Sequence, residues 1–236
     1  RGLNVESEVN KSFNELGIRT LRHQSGIRKE KGFRPVTLLF VMTVLPLIKH
    51  SLCSLWSGQF FTNIIAAQKD TYYRFLNHPC FNWRKFVLLL ACREIARTDR
   101  SAFNDRTIIV DDTILGKTGE KMELVSYHHD HTTNRSKLGY QMLQLGYHNG
   151  ARFYPLDFGF HTSANQTNDK LRDLDKRCCG WKRRMESFEK KTDLMVAMLK
   201  RCWQNNISAR FVLFDSWFAS DSVISQVVGI GYGVIC

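Results

Sequence analysis

The chain has 236 residues, enough for one large domain or two small ones, and its 43% apolar content is sufficient for a proper core. Lys and Arg outnumber Asp and Glu by 34 to 22, a net charge of +12 that favours a polyanionic partner, nucleic acid before membrane. The seven cysteines are an odd count without framework spacing, so they read as reduced thiols and argue against a disulfide scaffold.

The chain starts at Arg1 and closes on Gly231-Tyr232-Gly233-Val234-Ile235-Cys236, which reads as a strand cut short and hence as a fragment of a longer protein. Residues 1–34 are polar and basic, with Arg19, Arg22, Arg28, Lys29, Lys31 and Arg34 against a single acid after Glu15, Glu30, and read as an arm or loosely packed lead-in. The apolar run from Val36 to Ile48 falls well short of the roughly 20 residues that a membrane span needs. A buried helix entered through Pro35 is the expectation, with no membrane partner. From Pro35 to about Thr98 the pattern is helical, and Asn82 is placed to cap the helix carrying Phe86 and Leu90. Lys69 to Leu76 mixes aromatic and basic residues. It reads either as a helix presented to DNA or as one whose Tyr72 and Phe75 pack between helices.

From Arg106 the periodicity changes to that of strands. Thr107-Ile108-Ile109-Val110 is a β-branched run that ends in Asp111-Asp112. Gln141 to Tyr147 and Arg152 to Phe160 flank His148-Asn149-Gly150-Ala151, and Asn-Gly between two apolar runs is a strong hairpin signal. Pro155 has no amide proton to donate, which puts the second arm at a sheet edge. A polar, basic segment from Thr162 to Arg184 leads to one helix with Met185, Phe188, Thr192, Met195, Leu199 and Cys202 spaced three or four apart. Phe211 to Asp215 is a further strand, and Ser220 or Asp221 caps a short helix ending at Gly229. Buried strands seldom finish on acids unless the charge is hydrated, paired or bound to metal, so Asp111, Asp112 and Asp215 read as acids gathered at one rim of a sheet.

Val110-Asp111-Asp112-Thr113, Pro155-Leu156-Asp157-Phe158 with Gly159 to Ser163, and Leu213-Phe214-Asp215-Ser216-Trp217-Phe218-Ala219-Ser220 together resemble the core of a DDE transposase of the insertion-sequence group called the IS-four superfamily. Lys69 to Leu76 with Asn82-Trp83-Arg84-Lys85-Phe86 is similar to the helical region that precedes that core. The resemblance implies an α/β (α+β type) mixed sheet of the ribonuclease H-like fold over residues 105–236, incomplete at its C-terminal side. A helical, DNA-binding N-terminal region over 1–104 precedes it. It implies strand cleavage and strand transfer at element ends in cut-and-paste transposition, on double-stranded DNA, by a homodimer in a prokaryotic cytoplasm beside the nucleoid. The alternatives are another ribonuclease H-like nuclease such as a resolvase, or a non-catalytic DNA-binding remnant.

Cutting a phosphodiester and joining a 3′-hydroxyl to another strand needs an activated oxygen nucleophile and a stabilised leaving oxygen, which two Mg²⁺ ions supply. Mn²⁺ is an acceptable substitute. Such hard cations prefer carboxylate oxygen and water. In the family pattern the first acid precedes a Thr or Ser by two positions, matching Asp111 with Thr113; Asp112 is the alternative, since neighbouring strand residues face opposite ways. Asp215 matches the second acid. The third, a Glu within Tyr-x2-Arg-x3-Glu-x6-Lys, does not occur before Cys236, so the resemblance places it farther on and implies that the chain as it stands is inactive or nearly so.

From Lys170 to Arg201 there are eleven Lys or Arg against five acids, half of the whole positive excess. Lys182, Arg183 and Arg184 are the phosphate candidates there, with Arg135 and Lys137 before the hairpin and Lys117 just past the first acid. Gly116-Lys117-Thr118 lacks the leading glycine of a phosphate loop. His128-His129-Asp130-His131 reads as a polar turn and Cys178-Cys179 as neither knuckle nor disulfide.

Overall fold

The computed structural model describes residues 5–47, 49–53, 67–130, 133–163 and 174–236. The chain divides into two compact units, Arg1–Phe86 and Val87–Cys236. Among the described residues no helix is long and apolar enough to cross a membrane.

In the first unit α1 (Val5–Glu15), α2 (Ile18–Gln24) and α3 (Pro35–Leu47) are followed by α4 (Lys69–Leu76). The expected arm is therefore two helices. Val9, Ile18, Leu21 and Ile27 are all buried, and Phe13 meets Phe40 of α3 edge-on at 5.9 Å. Of the basic residues that suggested a loose segment, Arg19 is exposed on α2, Arg22 is partly buried there, and Arg28, Lys29, Lys31 and Arg34 are exposed between α2 and α3. In α4 the packing alternative holds: Tyr72 and Phe75 are buried, with Phe75 against Phe81 and Trp83 at 5.4 and 5.5 Å, so neither ring is available to a base. Burial pushes the Tyr72 phenol up to about 12. The next helix, α5 (Trp83–Thr98), starts as its sequence predicts, with the Asn82 side-chain oxygen accepting from the Lys85 amide at 3.0 Å.

The second unit is a mixed sheet with helices. Its strands are β1 (Thr107–Gly116), β2 (Ser126–Asp130), β3 (Arg135–His148), β4 (Phe153–His161), β5 (Phe211–Leu213) and β6 (Gly233–Ile235). Its helices after β4 are α6 (Cys179–Glu186), α7 (Lys191–Gln204) and α8 (Asp221–Ile230). The strand order is β2-β3-β1-β5-β6, with β4 also on β3. The β1–β3, β2–β3 and β3–β4 pairs are antiparallel, and β1–β5 and β5–β6 are parallel. This is the meander, helix, strand, helix, strand order of the ribonuclease H-like fold.

Three local readings are corrected. His128-His129-Asp130 is not a turn but most of β2, which takes the Arg135–Gly139 half of β3's edge and leaves Gln141–His148 to β4; His131 lies outside the described residues. Arg135 and Lys137 accordingly belong to the hairpin arm β3 itself. The single helix expected from Met185 to Cys202 is two. The Ser187 hydroxyl donates to the Arg184 carbonyl at 2.6 Å and closes α6, and Lys190 then takes an extended backbone before α7 begins.

At the β3–β4 turn only Gly150 has a positive φ, of 86°. Asn149 acts through its side chain, whose oxygen accepts from the amides of Ala151 and Arg152 at 3.2 and 2.8 Å. Pro155 lies in β4, which among the described residues pairs only with β3, beside a bulge between Leu145 and Gly146. The core forms where Leu194, Met195, Met198, Leu199 and Cys202 of α7, all fully buried, meet Ile108 and Val110 of β1 and Leu143 and Leu145 of β3. Burying those five side chains contributes a gross stabilisation on the order of 10 kcal/mol before entropy is counted. The Ser220 hydroxyl caps α8, accepting from the Val223 amide, and Gly231 ends it at φ 118°.

Candidate functional site

β1 does not stop at its acids. It continues to Gly116 because β3 pairs with it as far as Gly139. Its parallel neighbour β5 stops at Leu213, opposite Ile109, so the acids stand where β1 loses a partner on that side. Two residues beyond the Ile109–Leu213 pair, the two chains carry Asp111 and Asp215. Alternation along β1 puts Asp112 on the face of Ile108 and Val110, which α7 covers, and leaves Asp111 on the opposite, exposed face.

A cleft of about 730 Å³ opens here, lined by Asp111, Asp112, Thr113 and Asp215 together with Asp130 and Lys137 and other polar and aromatic groups. Asp215 caps a short turn: its Oδ1 accepts from the Trp217 amide at 3.0 Å and from the Ser216 hydroxyl at 3.1 Å. The Trp217 amide, then the Ser216 hydroxyl, hold its carboxyl below the usual range, so it is anionic at neutral pH. Asp111 accepts the amide of Asp112 at 2.9 Å. Asp112 Oδ2 is doubly engaged, by Gln141 Nε2 and by Lys191 Nζ, each at 2.7 Å. The Lys191 ammonium also lies 4.0 Å from the centre of the Trp217 ring and 5.8 Å from that of Phe218. A lysine in the first turn of a helix opposes the helix dipole, and here Asp112 and the Trp217 face compensate it.

On the same face His128 is buried, its Nε2 2.9 Å from the Ser126 hydroxyl, while His161 Nδ1 lies 3.0 Å from the Glu189 carbonyl. Burial, first, pushes both imidazoles below the ordinary histidine value; the nearby positive Lys191 adds to this for each. They are neutral at pH 7.

The basic candidates are dispersed. Lys137 lines the cleft and pairs with Asp130 at 2.5 Å. Lys117, Arg135 and Lys182 are exposed, and Arg183 stacks over Phe158 at 4.8 Å; none of the four is among the cleft's described lining residues. Arg184 is placed for another task. Its guanidinium holds Glu123 through two contacts, one of 3.0 Å, and donates to the Gly180 carbonyl at 3.0 Å, which pins the loop before β2 to α6. Its charge is thereby shared with Glu123.

Sequence reasoning gives Lys191, Gln141, His128 and Trp217 no role in the site, although His128 falls in the expected polar turn and Trp217 in the family motif. The Asp112 pairings cross 79 and 29 residues, and no spacing rule signals them. The candidate donors for a cofactor are carboxylates with a hydroxyl, the chemistry that suits a hard divalent cation rather than a soft one. Among the described residues no group of three or more His, Cys, Asp or Glu stands close enough to hold a metal ion alone.

Neither the curated proteins nor the solved structures yield a match to this chain. A family model described as DDE superfamily endonuclease matches residues 61–231, the span from before α4 to the end of α8. That match covers well over half of the sequence and contains every acid of the cleft, and the chain therefore belongs to the DDE superfamily endonucleases.

Proposed function

We propose that the protein is a DNA transposase of the IS-four type, cleaving element ends and transferring the freed strands in cut-and-paste transposition. The observation that supports this most is that Asp111 and Asp215, each two residues beyond the parallel Ile109–Leu213 pair, line one cleft. Asp111 and Asp215 are the metal ligands in this reading, and Asp112, engaged by Lys191 and Gln141, is the alternative to Asp111. Mg²⁺, or Mn²⁺ in its place, needs only one or two protein carboxylates when water and substrate phosphate complete its shell. When bound, the ions would activate the attacking oxygen and stabilise the leaving one.

The chain's own groups prepare that chemistry. The Trp217 amide and Ser216 hydroxyl keep Asp215 ionised and aimed from the turn that follows β5, while β1 holds Asp111 on a paired strand. Lys117, Arg135, Lys137, Lys182 and Arg183 supply phosphate contacts along double-stranded DNA, while Arg184 acts as a brace for Glu123. Two element ends brought together require a dimer on DNA.

The test uses the full-length protein and DNA carrying element ends, with Mg²⁺. Asp215→Asn is expected to lower nicking by more than about a hundredfold, beyond the loss typical of an outer partner of a metal ligand. Wild-type nicking in that variant would end the proposal. Joined products separate a transposase from a nuclease that only cuts.

A further inference from the structure

Trp217 stands out in the cleft. It is 60% exposed, an unusual state for the largest apolar side chain when it sits beside a charged acid site. It is also fixed. Its amide is bonded to Asp215 at 3.0 Å, its ring meets Phe218 edge-on at 4.9 Å, and the Lys191 ammonium lies over it at 4.0 Å. Lys191 is itself held by Asp112 and is only 14% exposed. An indole immobilised before its ligand arrives loses little rotamer freedom on binding, and every nucleobase has a face that stacks on it.

We infer that Trp217 is a stacking platform for one unpaired nucleobase of the strand entering the cleft, with Lys191 steadying the ring. The inference rests on the endonuclease reading above and adds a subsite to it. Stacking needs a base out of its pair, so the subsite selects DNA that is frayed or unpaired next to the bond to be cut. It is indifferent to which base is presented, because the indole offers no hydrogen-bond pattern to read.

The probe is a duplex carrying 2-aminopurine at its end, in a fully paired form and in a form with that base unpaired. Wild-type protein is expected to bind the unpaired form more tightly, with quenching of the 2-aminopurine emission as it stacks. Trp217→Ala is expected to abolish the quenching and weaken binding to the unpaired form roughly tenfold, with little change on the paired form. Trp217→Phe keeps an aromatic face and retains part of both effects, which separates stacking from a folding defect. Equal quenching in wild type and Trp217→Ala would overturn the inference, as would equal binding of the two duplexes by wild type. Asp215→Asn keeps the quenching and loses nicking. If it nicks normally, the reading of Asp215 as a catalytic metal ligand fails instead, whatever the fluorescence shows.

Discussion

Asp99 offers the sharpest test of how the sheet is held. It lies just after α5, with its side chain 4% exposed, and accepts four hydrogen bonds. Oδ1 takes the Ser101 amide at 3.0 Å, the Ser101 hydroxyl at 2.7 Å and the Asn149 amide group at 2.9 Å. Oδ2 takes the Tyr147 hydroxyl at 2.6 Å and lies 3.4 Å from the Arg106 guanidinium. One carboxylate thus ties the entrance of β1 to the β3–β4 turn, fixing the strand that carries Asp111. Asp99→Ala leaves the buried Tyr147 hydroxyl and the Asn149 amide group without this acceptor and takes the counter-charge from Arg106, which keeps its bonds to Ser101, and costs about 4 kcal/mol. Asp99→Asn can still accept on the Oδ1 side but must turn an NH₂ toward Arg106, and costs about 2 kcal/mol.

Calorimetry on the wild type and both variants reads these costs. At roughly 2–4 °C per kcal/mol for a unit of this size, the unfolding transition should fall by about 4–8 °C for Asn and about 8–16 °C for Ala. The pH dependence supplies a second check. Burial alone would raise the Asp99 carboxyl, but the hydrogen bonds from Tyr147, Ser101 and Asn149 together outweigh it and hold the group far below the usual range. A carboxyl depressed in the folded state contributes stability that is complete above its unfolded value near 3.9 and is lost as the pH falls through the folded value. The gap between wild type and Asp99→Asn should therefore be constant from about pH 5 to 8 and shrink below about pH 4. An Ala variant within about 2 °C of wild type at pH 7 would refute the reasoning.

Two other perturbations probe the cleft side of the sheet. A Cβ on Gly139 would sit 2.3 Å from the Leu115 carbonyl oxygen, a backbone atom that cannot rotate away; Gly139→Ala should cost about 2–3 kcal/mol in thermal unfolding and reduce nicking as β1 shifts. A change below 0.5 kcal/mol would mean that the strands part more easily than the close approach implies. His128 and His161 are depressed chiefly by burial, so their neutral forms suit the fold and stability is complete above about pH 6.5, declining as the pH falls through their lower folded values. Replacing both with Gln should flatten the melting temperature as the pH falls below about 6.5 relative to wild type, and an unchanged slope would assign it to other groups.

Much of the fold was legible because its signals are local. Asn82 and Ser220 announce helix starts through a side-chain oxygen placed three residues before the amide it serves. Asn149-Gly150 announces the hairpin, although only Gly150 adopts the positive φ. Pro155 announces an edge strand by the donor it lacks. The acids were legible for a similar reason: a charge after Ile108 and Val110, or after Val212 and Phe214, violates the pattern of a buried strand.

The sequence by itself determined β1, the β3–β4 hairpin, β5 and α8 in their order, and the identity of Asp111, Asp112 and Asp215 as unusual acids, but not β2 or the break between α6 and α7. Only the tertiary structure decided which charges meet: Asp112 with Lys191, Arg184 with Glu123, Asp99 with Tyr147 and Asn149. It also decided that residues 5–24 are helices packed on a core and that the stretch from Met185 to Cys202 breaks at Ser187. The physical reason is range. Caps, turns and periodicity act within a few residues and leave a trace in the order of side chains, whereas a carboxylate 79 residues from its ammonium leaves none until the sheet and helix close around both.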